Sequence, residues 1–126
     1  MIFVDTDVLV DILRNRAAAT AWLNAQTELI AASGFSCFEL IDGTESSADL
    51  RATRKLMQRL DVHWLSAAHC EVAMATFQSV HLGNAIGIVD MLIAQTAISL
   101  GVPLHTFNTK HYAAVPDLQT IQPYTR

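Results

Sequence analysis

Three acidic residues, Asp5, Glu39 and Asp90, interrupt apolar segments of this chain. Asp5 follows the apolar residues 1–4, Glu39 lies within FSCFELI, and Asp90 separates IGIV from MLIA. An isolated carboxylate is costly to bury, and carboxylates brought together repel unless a cation lies between them. A cluster of the three predicts a hard divalent ion, Mg²⁺ or Mn²⁺, which activates water and stabilises charge on a phosphoryl oxygen. Such chemistry cleaves phosphodiesters without a nucleophilic side chain.

Each acid also has an ordinary structural interpretation. An aspartate between a strand and a helix can cap the helix, and this alternative stays open for Asp7. Capping is less natural for Asp5, which stands at the tip of the predicted strand. Glu39 alone could lie on the exposed face of an amphipathic helix, and Asp90 could interact favourably with a helix dipole. The set of acids, rather than any single member, favours a functional site.

Strand and helix patterns alternate along the chain, and the fold that they predict must bring these acids together. Apolar runs predict strands at 1–4, 29–32, 62–65, 104–107 and 120–122, and helical patterns separate them. Ser66 is a predicted helix cap, and Gly101 a predicted helix end. The alternation predicts an α/β fold, a three-layer sandwich in which helices flank a small parallel sheet of four or five strands, with residues 1–126 as one domain. Ligands of such sheets bind beyond the carboxyl ends of the strands, where Asp5, Glu39 and Asn108 follow predicted strands.

Composition limits the function classes. The chain has 126 residues, is 52% apolar and carries a net charge of −4, so it has a sizeable core and no general attraction for nucleic acid. Its two cysteines and five histidines lack zinc-ligand spacing, and the cysteines form no disulfide framework. Without a signal-like segment or a membrane-spanning apolar run, the expected location is the cytoplasm. The two tryptophans and the four methionines are expected in the core.

Four segments together resemble a PIN-domain ribonuclease, specifically the VapC-type toxin of a bacterial toxin–antitoxin pair. They are MIFVDTDVLVDIL, SGFSCFEL, IGIVDMLIAQTAISLGVPLHTFN and TFNTKHYAAVPDLQTIQPY. The resemblance implies that Asp5, Glu39 and Asp90 bind Mg²⁺ or Mn²⁺ and support RNA cleavage by water, with Asn108 or Thr6 orienting the water or the substrate. A fourth acid is often present in the last segment of this family. His111 stands there in this chain and Asn108 is the nearest polar match, so a complete second metal site is not implied.

The resemblance also implies partners. These are an antitoxin that covers the groove, often with a basic side chain directed at the carboxylates, and a second copy of the toxin in a homodimer. Single-stranded loops of structured RNA are the expected substrate, because splayed nucleotides can reach a shallow metal cleft. Five cationic residues are candidates for contacts with RNA phosphates, although a solvated helix face explains most of them equally well. They are Arg51, Arg54, Lys55, Arg59 and Lys110.

Two other classes of protein share parts of the pattern. The sequence Asp5-Thr6-Asp7-Val8-Leu9 resembles the nucleophile motif of haloacid dehalogenase-like phosphatases, in which Asp5 would be phosphorylated. That class needs paired late aspartates and a cap that this chain lacks. A non-catalytic receiver-like or metal-binding module is the second alternative, but a receiver places an acid after the third strand, where this chain has Leu65-Ser66.

Overall fold

A computed structural model of the chain describes all 126 residues. Its centre is a single sheet of five short strands in the order β3-β2-β1-β4-β5, and every neighbouring pair is parallel. The strands are β1 (Ile2–Val4), β2 (Ile30–Ser33), β3 (Asp61–His63), β4 (Leu104–His105) and β5 (Thr120–Ile121). The predicted small parallel sheet is confirmed, and its strands are shorter than or displaced from the predicted ranges.

Seven helices connect and flank the strands. They are α1 (Thr6–Leu13), α2 (Ala17–Ala25), α3 (Gly34–Asp42), α4 (Ser47–Gln58), α5 (Ala67–Val80), α6 (Ile88–Leu100) and α7 (Thr109–Tyr112). Ser66 caps α5 by accepting a hydrogen bond from His69 N, as predicted. Gly101 ends α6 with a φ of 67°, a left-handed conformation that glycine adopts without steric cost.

The strand residues alternate between two hydrophobic cores, one on each face of the sheet. Phe3 of β1 faces the core formed with α5, α6 and α7, whereas Ile2 and Val4 face the core formed with α1, α3 and α4. Successive side chains of a strand point to opposite faces, so an apolar strand of three residues supports both layers. The predicted three-layer α/β sandwich is therefore confirmed.

The expectation that every tryptophan and methionine lies in the core is wrong. Trp64 directly follows β3 at the sheet edge and is 60% exposed, with its ring against the edges of Phe35 and Phe38. Met74 on α5 is 59% exposed. Trp64 lies between half-buried residues and Met74 follows buried Ala73, and apolar residue type alone does not reveal which side of an element faces solvent.

The chain order of the sheet defines where a ligand can bind. From central β1 the chain moves outward to β2 and β3, then returns to place β4 on the other side of β1. Crossovers leave β1 and β4 in opposite directions, which opens a crevice at the carboxyl ends of these two strands. None of the seven helices combines the length and the apolar character that a membrane span requires.

Candidate active site

An open cleft of about 380 Å³ lies beyond the carboxyl ends of β1 and β4. Its walls come from the β1–α1 junction, α3, the start of α6 and the loop after β4. The predicted catalytic residues all line it, namely Asp5, Glu39, Asp90 and Asn108. Residues far apart along the chain therefore share one surface, as the sequence analysis required.

Asp5 is the most enclosed of these acids, with only 3% of the residue exposed. One carboxylate oxygen accepts a hydrogen bond from Thr6 N at 2.8 Å, and the other accepts one from Thr106 Oγ1 at 2.8 Å. Asp5 is also the N-cap residue of α1, the role that sequence reasoning had considered more natural for Asp7. Burial, followed by the charge of Asp7, raises the pKa of Asp5 to about 7, and the hydrogen bonds offset only part of this shift.

Asp7 does not cap α1 but connects it to the loop after β4. Its Oδ2 accepts a hydrogen bond from Phe107 N at 2.9 Å, while Oδ1 is buried and has no partner. Because Phe107 donates its N–H to this carboxylate, β4 ends at His105 rather than continuing to residue 107 as predicted. Burial raises the pKa of Asp7, against the effect of the Phe107 N–H.

Glu39 is exposed on α3 and is oriented by a neighbour of Asp5. Thr6 Oγ1 lies 2.6 Å from Glu39 Oε1 and 3.0 Å from Ser36 Oγ. A hydroxyl has a single proton, so Thr6 donates it to the nearer, charged oxygen and can accept a hydrogen bond from Ser36. Thr6 thereby directs the glutamate toward the cleft. Glu39 lies on the exposed face of its helix and also lines the cleft, so the two interpretations of this residue are compatible.

Asp90 lies in the first turn of α6 and has two contacts at long hydrogen-bond distances. Its Oδ2 is 3.4 Å from Gly87 N, as in a capping box, and its Oδ1 is 3.5 Å from the hydroxyl of Tyr112. Tyr112 is 1% exposed. Burial, together with the charges of Asp5 and Asp90, raises the pKa of Tyr112, so its hydroxyl stays protonated and donates toward the acids.

The predicted RNA-binding cations lie outside this cleft. Asn108 lines it through the loop after β4, whereas Lys110 is exposed on α7 and does not. The cationic side chains of α4 and of its C-cap residue are exposed, and none is among the residues that line the cleft; they are Arg51, Arg54, Lys55 and Arg59. His111 is also exposed on α7 and outside the cleft.

The sequence of residues 2–117 matches the family described as PIN domain. The chain belongs to the PIN domain family. This PIN domain is 35% identical to Ribonuclease VapC19 of Mycobacterium tuberculosis strain H37Rv, and the match covers 94% of this chain and 98% of the relative. The family resemblance predicted from the sequence is therefore confirmed, and it replaces the phosphatase and receiver-like alternatives.

Solved structures with the same fold come from toxin–antitoxin complexes. A toxin–antitoxin complex from Klebsiella pneumoniae contains a chain with a TM-score of 0.81 and 25% identity, over 100% of both chains. VapBC2 from Rickettsia felis, bound to a DNA fragment from its promoter, gives a TM-score of 0.79 and 25% identity, over 96% of this chain and 98% of the other. VapBC-1 from nontypeable Haemophilus influenzae gives a TM-score of 0.80 and 25% identity, over 98% of this chain and 98% of the other.

The charges and donors of the cleft suit a hard divalent cation. None of Asp5, Asp7, Glu39 and Asp90 forms an ion pair with a basic side chain, and one buried oxygen of Asp7 has no partner. Carboxylate oxygens are preferred ligands of Mg²⁺ and Mn²⁺. No three His, Cys, Asp or Glu side chains are close enough to hold a metal ion in this arrangement. The acids of this PIN domain thus share a surface without being in ligand contact.

Sequence reasoning missed a second group of residues in the same cleft: Asp11, Arg14, Arg16 and Arg126. Asp11 lies four residues after Asp7 on α1, and residues spaced by four lie on one helix face, so this spacing was an available signal. No local signal marks Arg126, which reaches Asp11 from 115 residues away.

The ionisation of Asp5 predicts a pH-dependent stability for the metal-free PIN domain. Its folded pKa of about 7 exceeds the ordinary 3.8, so ionisation progressively destabilises the folded state as the pH rises from about 4 to 7. Asp5→Asn removes this effect. In EDTA, we expect the variant to have a higher Tm than the wild type at pH 8 and a similar Tm at pH 4. A Tm difference that stays constant over this range would contradict the prediction.

Proposed function

We propose that this chain is an Mg²⁺- or Mn²⁺-dependent endoribonuclease and the toxin of a toxin–antitoxin pair. The observation that carries the proposal is the cleft of a PIN domain that is lined by Asp5, Asp7, Glu39 and Asp90, none of which forms an ion pair with a basic side chain. The relative in Mycobacterium tuberculosis is named a ribonuclease, which supports RNA as the substrate. The proposal treats residues 1–126 as one catalytic domain.

In this proposal Asp5, Asp90 and Glu39 hold the metal ion. The bound ion would supply a more acidic water and charge stabilisation at the phosphoryl group. Thr106 and the backbone of Thr6 fix the carboxylate of Asp5, which favours its ionised form. The Thr6 hydroxyl directs Glu39. Hydrogen-bond partners that orient ligands in this way preorganise a site before substrate binds.

Asn108 is the better candidate for orienting the attacking water or the substrate. The Thr6 hydroxyl is occupied by Glu39 at 2.6 Å, whereas the Asn108 side chain is exposed and makes no hydrogen bond within the protein. Asn108 N donates to Thr106 Oγ1, which itself donates to Asp5, so the loop that carries Asn108 is connected to the acid cluster. An amide side chain can both donate to a phosphate oxygen and accept from water.

Membership of the PIN domain family argues against the phosphatase alternative. The chain also lacks the paired late aspartates and the cap that the phosphatase class needs. Water rather than Asp5 is the nucleophile in this proposal.

An antitoxin is the proposed protein partner. A second groove of about 390 Å³ adjoins the cleft between α1, α3 and α4 and shares Val10, Arg14 and Glu39 with it. Apolar Val10 and Leu13 line this groove together with acidic Glu45 and Asp49, a composition that suits a basic amphipathic segment. The solved structural relatives include VapBC complexes, which supports such a partner.

A homodimer and a cytoplasmic location complete the proposal. Several large apolar side chains are exposed, including Phe38, Trp64, Leu82 and Ile88, and a second copy would cover part of this surface. Cellular RNA is the proposed substrate, which places the toxin in the cytoplasm with the transcripts it cleaves. The cations predicted from the sequence on α4 and at Lys110 are exposed outside the cleft, and they are not part of this proposal.

Removing the metal tests the reaction directly. Purified protein incubated with a structured RNA is expected to release fragments in Mg²⁺ or Mn²⁺ and to release none in EDTA, and excess Mn²⁺ is expected to restore cleavage. Gel analysis of end-labelled RNA measures the products. Cleavage that continues undiminished in EDTA would contradict metal dependence, and a phosphorylated Asp5 detected by mass spectrometry would favour the phosphatase.

A further inference from the structure

The cleft is lined by side chains of opposite charge. Asp5, Asp7, Glu39 and Asp90 are acidic, and Arg14, Arg16 and Arg126 also line the cleft; we refer to these three arginines as the arginine rim. The chain as a whole carries a net charge of −4, so its overall field repels a polyanion. A polyanion bound in this cleft therefore requires cations placed locally, and the arginine rim is the cationic group that lines the cleft.

A single buried acid organises the arginine rim. Asp11 is 2% exposed, and its carboxylate accepts hydrogen bonds from Arg126 Nε at 2.9 Å and Arg126 Nη2 at 3.2 Å. It also lies 3.4 Å from Arg16 Nε and accepts a hydrogen bond from the Tyr124 hydroxyl at 2.7 Å. One carboxylate cannot neutralise three guanidinium groups, so the rim with Asp11 keeps a net positive charge.

The guanidinium of Arg126 is held in place but keeps hydrogen-bond donors that have no partner in the protein. It lies 4.1 Å from the centroid of the Phe107 ring, and its side chain is 39% exposed. Asp11 takes two of the five N–H donors of an arginine, which leaves three for another acceptor. Arginine presents these donors in a rigid fork that matches the oxygens of a phosphate.

Arg14 is the member of the arginine rim whose side chain has no interaction partner. It follows α1 as the C-cap residue, is exposed, and its side chain forms no hydrogen bond or ion pair within the protein. It also lines the second groove, so it stands where the two depressions meet. A cationic side chain in this position is free to follow an extended ligand across the cleft.

We propose that Arg14, Arg16 and Arg126 bind backbone phosphates of RNA and thereby position the strand over the acidic residues of the cleft. This inference rests on the proposed ribonuclease function and names the side of the same site that recognises the substrate. The main phosphate contacts are then expected at the mouth of the cleft and not at the exposed cations of α4. The arginines bind the backbone, so they contribute affinity and not base specificity.

The test measures binding separately from cleavage. A fluorescein-labelled oligouridylate is titrated in EDTA with wild type, Arg14→Gln, and the double variant Arg14→Gln/Arg16→Gln, at several salt concentrations. Arg54→Gln on α4 is the matched control, because it removes the same charge from an exposed side chain outside the cleft. Neither Arg14 nor Arg54 makes a side-chain contact that folding would lose, and Tm values verify this.

The expected result is a Kd about fivefold higher for Arg14→Gln and higher again for the double variant, with Arg54→Gln close to wild type. The slope of log Kd against log salt is expected to fall by about 0.7 for each phosphate contact removed. In cleavage assays with Mn²⁺, Arg14→Gln is expected to raise KM while kcat stays near the wild-type value, as for a group that binds the substrate and its transition state equally.

Two results would overturn the inference while leaving the ribonuclease assignment intact. One is a wild type that cleaves RNA, with a double variant whose Kd and KM are unchanged. The other is a loss of affinity in Arg54→Gln as large as in Arg14→Gln, which would place the phosphate contacts on α4. A wild type that neither binds nor cleaves RNA would overturn both the inference and the proposed function.

Discussion

Asp5→Asn and Asp90→Asn are each expected to lower metal-dependent RNA cleavage by more than about 100-fold, because groups that merely orient a metal ligand already contribute about 10- to 100-fold. Asparagine keeps the size of the side chain but removes the negative charge that the cation requires. For Asp5, it also replaces an enclosed acid whose pKa is raised to about 7 by burial and by Asp7. The measurement is kcat/KM on a labelled RNA, together with the affinity for Mn²⁺ by calorimetry.

The folds of these variants are expected to remain intact. Removing one of several like charges relieves repulsion, so their Tm values should equal or exceed that of the wild type in EDTA. Asp42→Asn is the matched control, since Asp42 is exposed on α3 and makes no side-chain hydrogen bond or ion pair. Cleavage by a purified Asp5→Asn preparation at the wild-type rate would remove this carboxylate from the mechanism and contradict the proposed metal site.

Asp11→Asn is expected to lower the free energy of unfolding by about 2 kcal/mol, the largest stability effect we predict for a single polar group. The variant would leave the guanidinium of Arg126 without its carboxylate and the Tyr124 hydroxyl without a charged acceptor. The partial exposure of Arg126, at 39%, keeps the cost below that of a fully buried ion pair. Urea denaturation followed by circular dichroism gives the free energy.

The pH dependence of this effect separates the ion pair from packing. Burial acts to raise the pKa of Asp11, but hydrogen bonds from Arg126 and Tyr124 outweigh it, so the net pKa is below the ordinary value of 3.8. A lowered folded pKa stabilises the protein above pH 4 and loses this contribution as the pH falls further. The difference between wild type and Asp11→Asn should therefore be full at pH 7 and shrink below pH 4.

Arg16→Gln provides the comparison for Asp11. Its 3.4 Å contact joins the same carboxylate to a side chain that is 47% exposed, so we expect a loss of less than about 1 kcal/mol. If Arg16→Gln and Asp11→Asn cost the same, or if the cost of Asp11→Asn is equal at pH 3 and pH 7, the anchoring of Arg126 by Asp11 is not the source of the stability.

Local residue patterns were enough to predict the helices and strands and to find the acids of the cleft. Residues 2–4 are wholly apolar, which suits a central strand buried on both faces, and Ser66 and Gly101 have the residue types that begin and end helices. Asp5, Glu39 and Asp90 were found because a charge within an apolar segment is costly and therefore informative. These are local signals, which can be read from the sequence without knowledge of the fold.

The hydrogen-bond partners of these residues depend on how the helices and strands pack, so local patterns did not predict them. Asp7 was considered as a cap of its own helix, yet its carboxylate bonds to Phe107 N, 100 residues away. Tyr112 carries no local signal of a role in the site, but its hydroxyl lies 3.5 Å from Asp90 Oδ1. The cations of α4 attracted attention because they are clustered in sequence, whereas Arg14, Arg16 and Arg126 are dispersed in sequence and meet at one cleft. Hydrogen bonds and charges act over a few ångströms of space, and distance along the chain does not report which groups the packed sheet brings within that range.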